Sequence, residues 1–240
     1  MTGRGAKCKT LILCGGKGTR LKELGEQLPK ALVPLRGRSV LYHKLNDAIC
    51  QGYDDFILAV GYKADMIVEA CRAMPFDCRY QISDAGVEAG MLQRIAAARE
   101  ACGERVIVTY GDTLCNLSLD ALLDYHTEHQ ALITIVSAPI QSPFGLITKD
   151  PSDRVTSLTE KPILYYYIGT FVMETEVLDG LPPDLIAAPD GRGLIAMLDR
   201  IIACDRLYTF VHQGDEITFN TPEELDAAQD GFLKFYTHFR

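Results

Sequence analysis

Gly15, Gly16, Lys17, Gly18, Thr19 and Arg20 follow directly on an apolar run at residues 10–14 that has the composition of a buried strand. Glycines at the carboxyl end of a strand let backbone N–H groups come close to an anion, and an arginine in the same turn adds a bidentate charged contact. Phosphate binding is the chemistry these residue types suit. Ten positions beyond Arg20 stands Pro29-Lys30, a second cation that can reach the same anion if the loop folds back over the strand end. Taken singly, a Gly-rich turn or a Pro-Lys pair is as well explained as an exposed connection without a ligand. The spacing excludes the GxxxxGKS/T of a P-loop, and GxGxxG counted from Gly16 places Leu21 where the last glycine should stand.

Taken together, residues 11–37 resemble the signature of the sugar-phosphate nucleotidyltransferases: an apolar strand, GGxGTRL, then PK and a short apolar stretch ending in Gly37. The resemblance continues in order along the chain. Tyr110-Gly111-Asp112 is similar to the family's GD element, whose aspartate holds the catalytic Mg²⁺; a carboxylate at a strand end suits a hard cation that bridges triphosphate oxygens. Glu160-Lys161-Pro162, preceded by Phe144-Gly145, resembles the EKP element, whose glutamate accepts from sugar hydroxyls and whose lysine holds the sugar's phosphate. The resemblance therefore implies Arg20 and Lys30 as catalytic cations and Asp112 as the metal ligand. It places Leu13, Gly15, Gly16, Gly18, Thr19, Arg20, Glu88, Gly90, Tyr110 and Gly111 around the nucleotide, and Phe144, Gly145, Glu160, Lys161, Tyr167 and Gly169 around the acceptor.

The implied reaction is in-line attack by an acceptor phosphate oxygen on the α-phosphorus of a nucleoside triphosphate, with pyrophosphate leaving. No side-chain nucleophile is required, because a phosphate monoester is already ionised at neutral pH; positioning and charge neutralisation supply the catalysis. Residues 83–94 are more similar to the TGGRL-type segment of glucose-1-phosphate cytidylyltransferases than to the LGTAGA type, so CTP is the expected donor. Guanylyl-, uridylyl- or thymidylyl transfer to a hexose or heptose 1-phosphate stays open, as does an inactive nucleotide-binding regulator. Homo-oligomerisation is compatible with each.

Two positions depart from the family pattern. Tyr167 stands where an asparagine precedes Gly169 by two residues, and Thr218 stands where a second magnesium-binding aspartate is expected, with Asp215 and Glu216 close by as substitutes. The run Tyr165-Tyr166-Tyr167 also reads simply as strand with one face buried. His126 and His129 flank Glu128 on a predicted helix and are expected to be solvated, and Cys14 is expected to be a small buried thiol.

Composition narrows the field further. A formal charge of −8 over 240 residues argues against a nucleic-acid partner, which demands a basic face. No apolar run approaches the roughly eighteen residues that span a bilayer, and residues 1–9 show no cleavage pattern, so a cytoplasmic protein without a membrane partner is expected. The 8 cysteines form no CxxC pair and read as reduced thiols, not a zinc site.

Short apolar runs at 10–14, 56–60, 78–82 and 105–110 alternate with helical patterns at 40–51, 64–73 and 91–102, which predicts βαβ units. A helix at 119–128 is followed by predicted strands at 131–138, 144–148, 154–158 and 165–173, expected to extend the sheet and build the acceptor pocket. Helices are predicted at 194–204 and from Pro222, where proline and two glutamates suit a first turn. The expectation is one Rossmann-like α/β domain over residues 1–240 with a mixed, mainly parallel central sheet flanked by helices. About residues 1–130 form its nucleotide-binding half and about 131–240 its acceptor-binding half. The chain ends soon after this core, so no appended left-handed β-helix is expected.

Overall fold

The computed structural model describes residues 7–236; the reading of residues 1–9 falls largely outside that range. Four strands open the fold: β1 (Lys9–Leu13), β2 (Asp55–Val60), β3 (Arg79–Asp84) and β4 (Arg105–Tyr110). They are linked by α1 (Val40–Cys50), α2 (Ala64–Ala73) and α3 (Met91–Ala97). The predicted helix at 91–102 breaks at Ala98 and resumes for one turn at Arg99–Cys102. There follow β5 (Thr113–Cys115), α4 (Leu119–Glu128), β6 (Ile133–Gln141), β7 (Leu146–Lys149), β8 (Val155–Thr159) and β9 (Ile163–Glu174). The chain continues through α5 (Arg192–Ile202), β10 (Leu207–Val211), β11 (Glu216–Thr218) and α6 (Pro222–Tyr236).

The central sheet has seven strands in the order β10-β6-β9-β4-β1-β2-β3. All neighbours are parallel except β9, which is antiparallel to both β4 and β6. The predicted mixed, mainly parallel sheet is therefore present. From β1 the chain runs outward through β2 and β3, then returns to place β4 on the other side of β1. That reversal opens a crevice at the carboxyl ends of β1 and β4, where α/β sheets bind ligands.

Strand alternation explains the layers. Ile12, Phe56, Leu58 and Ile107 face one side, against Leu41 and Leu45 of α1, Ile67 of α2 and Leu122 of α4. Leu11, Ile57, Val106 and Val108 face the other, against Leu92 and Ile95 of α3 and Leu194 and Met197 of α5. Each such fully buried side chain contributes about 1.5–3 kcal/mol relative to exposure. Ser39 caps α1 by accepting from the Tyr42 N–H at 3.1 Å, and Ser118 caps α4 by accepting from Ala121 at 3.2 Å.

A smaller third cluster, with Leu21, Leu35, Leu114, Ile217, Phe219 and Phe232, packs α6 beside the short antiparallel pair β5–β11. Its register sets Thr218 opposite Thr113, which carries residues 216–220 to the side of Asp112.

Two expectations are corrected, and one strand is added. The strands predicted at 144–148 and 154–158 form, as β7 and β8, but they pair only with each other and do not extend the sheet. The outer strand on that side is instead β10, whose Leu-Tyr-Thr-Phe-Val run has strand composition that the sequence reading passed over. His126 is fully buried, not solvated: it bonds Thr134 Oγ1 at 2.8 Å and Glu174 Oε1 at 3.1 Å, because its side of α4 faces β6 and β9. Among the described residues no helix is long and apolar enough to cross a membrane.

Candidate active site

A cavity of about 780 Å³ occupies the crevice above β1 and β4. Leu13, Gly15, Gly16, Gly18, Thr19 and Arg20 line it from the end of β1, and Tyr110, Gly111 and Asp112 line it from the end of β4. Glu88 and Gly90 enter from the segment between β3 and α3, and Tyr167 and Gly169 from β9. Every residue that the sequence assigns to the nucleotide thus lines one cavity. Gly111 N–H donates to the Leu13 carbonyl at 3.0 Å, joining the two strand ends.

Its charges are arranged unevenly. Lys30 Nζ donates to Asp112 Oδ2 at 2.6 Å and to Asn220 Oδ1 at 3.1 Å, and lies 5.5 Å from the centre of the Phe219 ring. Lys17 pairs with Glu88 at 2.6 Å, joining the glycine loop to the segment before α3 on the exposed side. Arg20 is exposed, and among the described residues no hydrogen bond or ion pair holds its side chain. It is free to meet an anion.

Beside the β4 end, Tyr167 meets Tyr110 edge to face, with ring centroids 5.8 Å apart. Burial pushes both phenols above their usual pKa, so both are neutral at neutral pH. The approach of these rings depends on Gly169, which has φ +80° and whose missing Cβ would lie 2.6 Å from the Tyr110 ring. The pairing of β9 with β6 shifts register between Tyr167 and Phe171, at this glycine. Cys14 is buried, as expected, and burial raises its thiol pKa far above the ordinary value.

The remaining assignments divide. Glu216 lines the cavity, where its Oε1 accepts from the Tyr166 hydroxyl at 2.5 Å. Asp215 does not line it; its carbonyl accepts from the Asn116 N–H at 3.3 Å. Phe144, Gly145, Glu160 and Lys161 lie outside the lining, together at the base of the exposed β7–β8 hairpin. Phe144 is 72% exposed, and a Cβ on Gly145 would lie 3.0 Å from Glu160 Oε2. That hairpin springs from β6 and β9, the second of which continues into Tyr167 and Gly169.

Sequence reasoning missed Asn220 and gave Arg94 no role, although both line the cavity. Asn220 had a weak signal, since Asn-Thr-Pro-Glu-Glu is a helix-entry pattern: Thr221 Oγ1 accepts from the Glu224 N–H at 3.2 Å, and Asn220 N–H donates to Glu224 Oε2 at 2.6 Å. Met91 N–H donates to the Asp190 carbonyl at 2.8 Å, which brings Pro189, Asp190 and Gly191 onto the cavity. No local pattern announced that contact.

Comparison with known proteins agrees with this geometry. Residues 9–189 match the family model described as nucleotidyl transferase. The chain is similar to a probable glucose-1-phosphate cytidylyltransferase of Bacillus subtilis, with 31% identity over 73% of this chain and 78% of the relative. It is also 30% identical to a mannose-1-phosphate guanyltransferase of Pichia angusta, over 71% of this chain but only 50% of that relative's length. Among solved structures, HddC from Yersinia pseudotuberculosis complexed with GMP-PN superposes with a TM-score of 0.73 at 24% identity, covering 94% of this chain and all of the other. A putative glucose-1-phosphate thymidylyltransferase from Bacillus anthracis gives 0.74 at 18% identity, covering 92% of this chain and 94% of the other. The two structures share the fold. With the glycine loop, both cations and the strand-end aspartate converging on one cavity, the chain belongs to the nucleotidyl transferase family and is a nucleotidyltransferase of the sugar-phosphate type.

Proposed function

We propose that this protein transfers CMP from CTP to a sugar 1-phosphate or a related phosphate monoester, releasing pyrophosphate. The observation that carries this reading is the meeting of Arg20, Lys30 and Asp112 with the glycine loop in a single cavity. Backbone N–H groups of residues 15–18 receive the triphosphate, and Arg20 and Lys30 stabilise the charge that shifts toward pyrophosphate as the α-phosphorus is attacked. Lys30 is already held at 2.6 Å from Asp112, so its ammonium is oriented before substrate arrives. The similarity to a cytidylyltransferase and the form of residues 88–94 favour CTP. The guanyltransferase relatives give GTP the second place.

The donor set suits Mg²⁺. Asp112 offers a carboxylate, and the Thr218 hydroxyl and Asn220 amide offer neutral oxygens beside it, a hard and sparsely charged set of the kind Mg²⁺ accepts while keeping water and phosphate ligands. Asp112 is assigned as the protein's chief ligand; Glu216 also lines the cavity, with Oε1 accepting from Tyr166 and Oε2 as its second carboxylate oxygen. When bound, the ion lowers the repulsion between the α-phosphate and the acceptor phosphate.

For the acceptor, this reading uses Tyr167 and Gly169 at the cavity wall and assigns Phe144, Gly145, Glu160 and Lys161 to its outer rim. Residues up to about 130 chiefly serve the nucleotide and the remainder chiefly the acceptor, within one domain, with Thr218 and Asn220 reaching back beside Asp112. A pyrophosphate-release screen of CTP, GTP, UTP, ATP and dTTP against sugar 1-phosphates and other phosphate monoesters tests the assignment. CTP is expected to give the highest kcat/KM; a tenfold advantage for GTP or dTTP would replace CTP, and no release from any pair would remove the reading.

A further inference from the structure

One buried cation of the cavity has no part in the reaction as described. Arg94, in the first turn of α3, is 5% exposed and lines the cavity wall. Its Nη1 donates to the Val60 carbonyl at the end of β2 at 2.5 Å, and its Nη2 donates to the Val87 carbonyl at 3.1 Å. The guanidinium also occupies the space beside two glycines: a Cβ on Gly15 would be 2.2 Å from Nη1, and one on Gly61 would be 2.3 Å from it. Three separate segments, the glycine loop after β1, the end of β2 and the residues before α3, therefore converge on one side chain.

Unlike Lys30 and Lys17, Arg94 has no carboxylate within ion-pair distance among the described residues. Asp84 acts on it only through space, and an Asp84 oxygen is occupied by the Gly86 N–H at 2.8 Å. A buried guanidinium with carbonyl partners but no carboxylate in contact is costly, and the cost falls when a negative ligand arrives nearby. The anion this cavity is built to take is the donor's phosphate chain.

Resting on the proposed nucleotide site, we infer that Arg94 is a positioning residue for the nucleoside triphosphate. It pins Val87–Gly90 to the ends of β1 and β2, so that this segment is in place before the nucleotide binds, and it sets a fixed positive charge behind the glycine loop. The planar fork is essential. It reaches carbonyls of two segments from two separate nitrogens at a fixed spacing, which the single nitrogen of an ammonium does not reproduce.

The test compares wild-type protein with Arg94→Lys and Gly61→Ala, using the triphosphate chosen by the donor screen. The second variant leaves the arginine in place but puts a methyl group where its guanidinium lies. Both are expected to raise KM for the nucleotide at least tenfold, with kcat within threefold and KM for the acceptor unchanged. Both should also lose most of the nucleotide-induced rise in Tm. A merely structural role would lower the ligand-free Tm and kcat without singling out the nucleotide KM. Should Arg94→Lys fail to fold, Gly61→Ala carries the test. Nucleotide KM within twofold of wild type in a folded variant overturns the assignment of Arg94 alone, whereas wild-type protein that binds no nucleoside triphosphate overturns the nucleotide site and this inference with it.

Discussion

Lys30 Nζ donates a 2.6 Å hydrogen bond to Asp112 Oδ2, joining two charges that stand 82 positions apart in the chain. Each neutralises the other, and a bound substrate must redirect both. Lys30→Ala is expected to lower kcat/KM by about 10²–10³, the usual loss when a charged transition-state contact is removed. Asp112→Asn should be nearly inactive at any attainable Mg²⁺ concentration. A Mg²⁺ titration of both variants checks this, and normal turnover in Asp112→Asn would show that the metal is held elsewhere. Because the two side chains touch, their losses should not add in the double variant.

Arg20 lies at the opposite extreme, exposed and without a partner among the described residues. Arg20→Ala should reduce turnover by orders of magnitude while changing stability by no more than about 0.5 kcal/mol, as for an ordinary surface change. Urea unfolding measured beside steady-state rates separates the two effects; a rate close to wild type would remove Arg20 from the phosphate site.

Gly169 has φ +80°, and a Cβ there would strike the Tyr110 ring. Gly169→Ala is therefore expected to destabilise the fold by about 1–3 kcal/mol from backbone strain alone. It should also weaken nucleotide binding, because Tyr110 lines the same cavity. An unchanged urea midpoint would refute the backbone strain, and unchanged nucleotide affinity would mean that the ring moves aside freely.

Tyr167 lines the cavity where the family pattern has an asparagine, on the side proposed for the acceptor. The preferred acceptor is accordingly expected to be a phosphate ester other than glucose 1-phosphate, and Tyr167→Asn should raise relative activity on glucose 1-phosphate. Glucose 1-phosphate emerging as the wild-type protein's best substrate in a broad panel would refute this.

His126 gives stability a pH dependence. Burial lowers its pKa below 6.5, opposed in part by the hydrogen bond to Glu174, with the Arg105 charge adding to the lowering. A histidine whose folded pKa is depressed contributes no penalty above 6.5, where it is neutral in both states, and stability falls as pH drops through 6.5 toward the folded value. Urea midpoints at pH 8 and pH 5.5 should therefore fall less in His126→Gln than in wild type. An identical fall in both proteins would assign the acid sensitivity to other groups.

Local pattern made much of this protein legible. The strand and glycine turn at residues 10–20, the alternation of helices and strands to residue 128, and the Gly-Asp at the end of β4 depend on neighbours in sequence, so they mark which elements exist and which residues sit at strand ends. Residues 13–20 and Tyr110, Gly111 and Asp112 meet in the cavity. The sequence could also announce β7 and β8 as strands, since alternation reports an extended backbone. It could not name their partner, and they pair with each other outside the sheet. His126 shows the same limit: helical spacing does not say that Thr134 and Glu174 will stand beside it, which the pairing of β6 with β9 decides. Asn220 reaches Lys30 across 190 positions because the β5–β11 register and the packing of α6 carry it there. Arg94 gains its setting from three strand-end segments at once. Such contacts are fixed by strand order and packing, in which residues far apart in the chain share one buried space, and only the folded sheet brings them together.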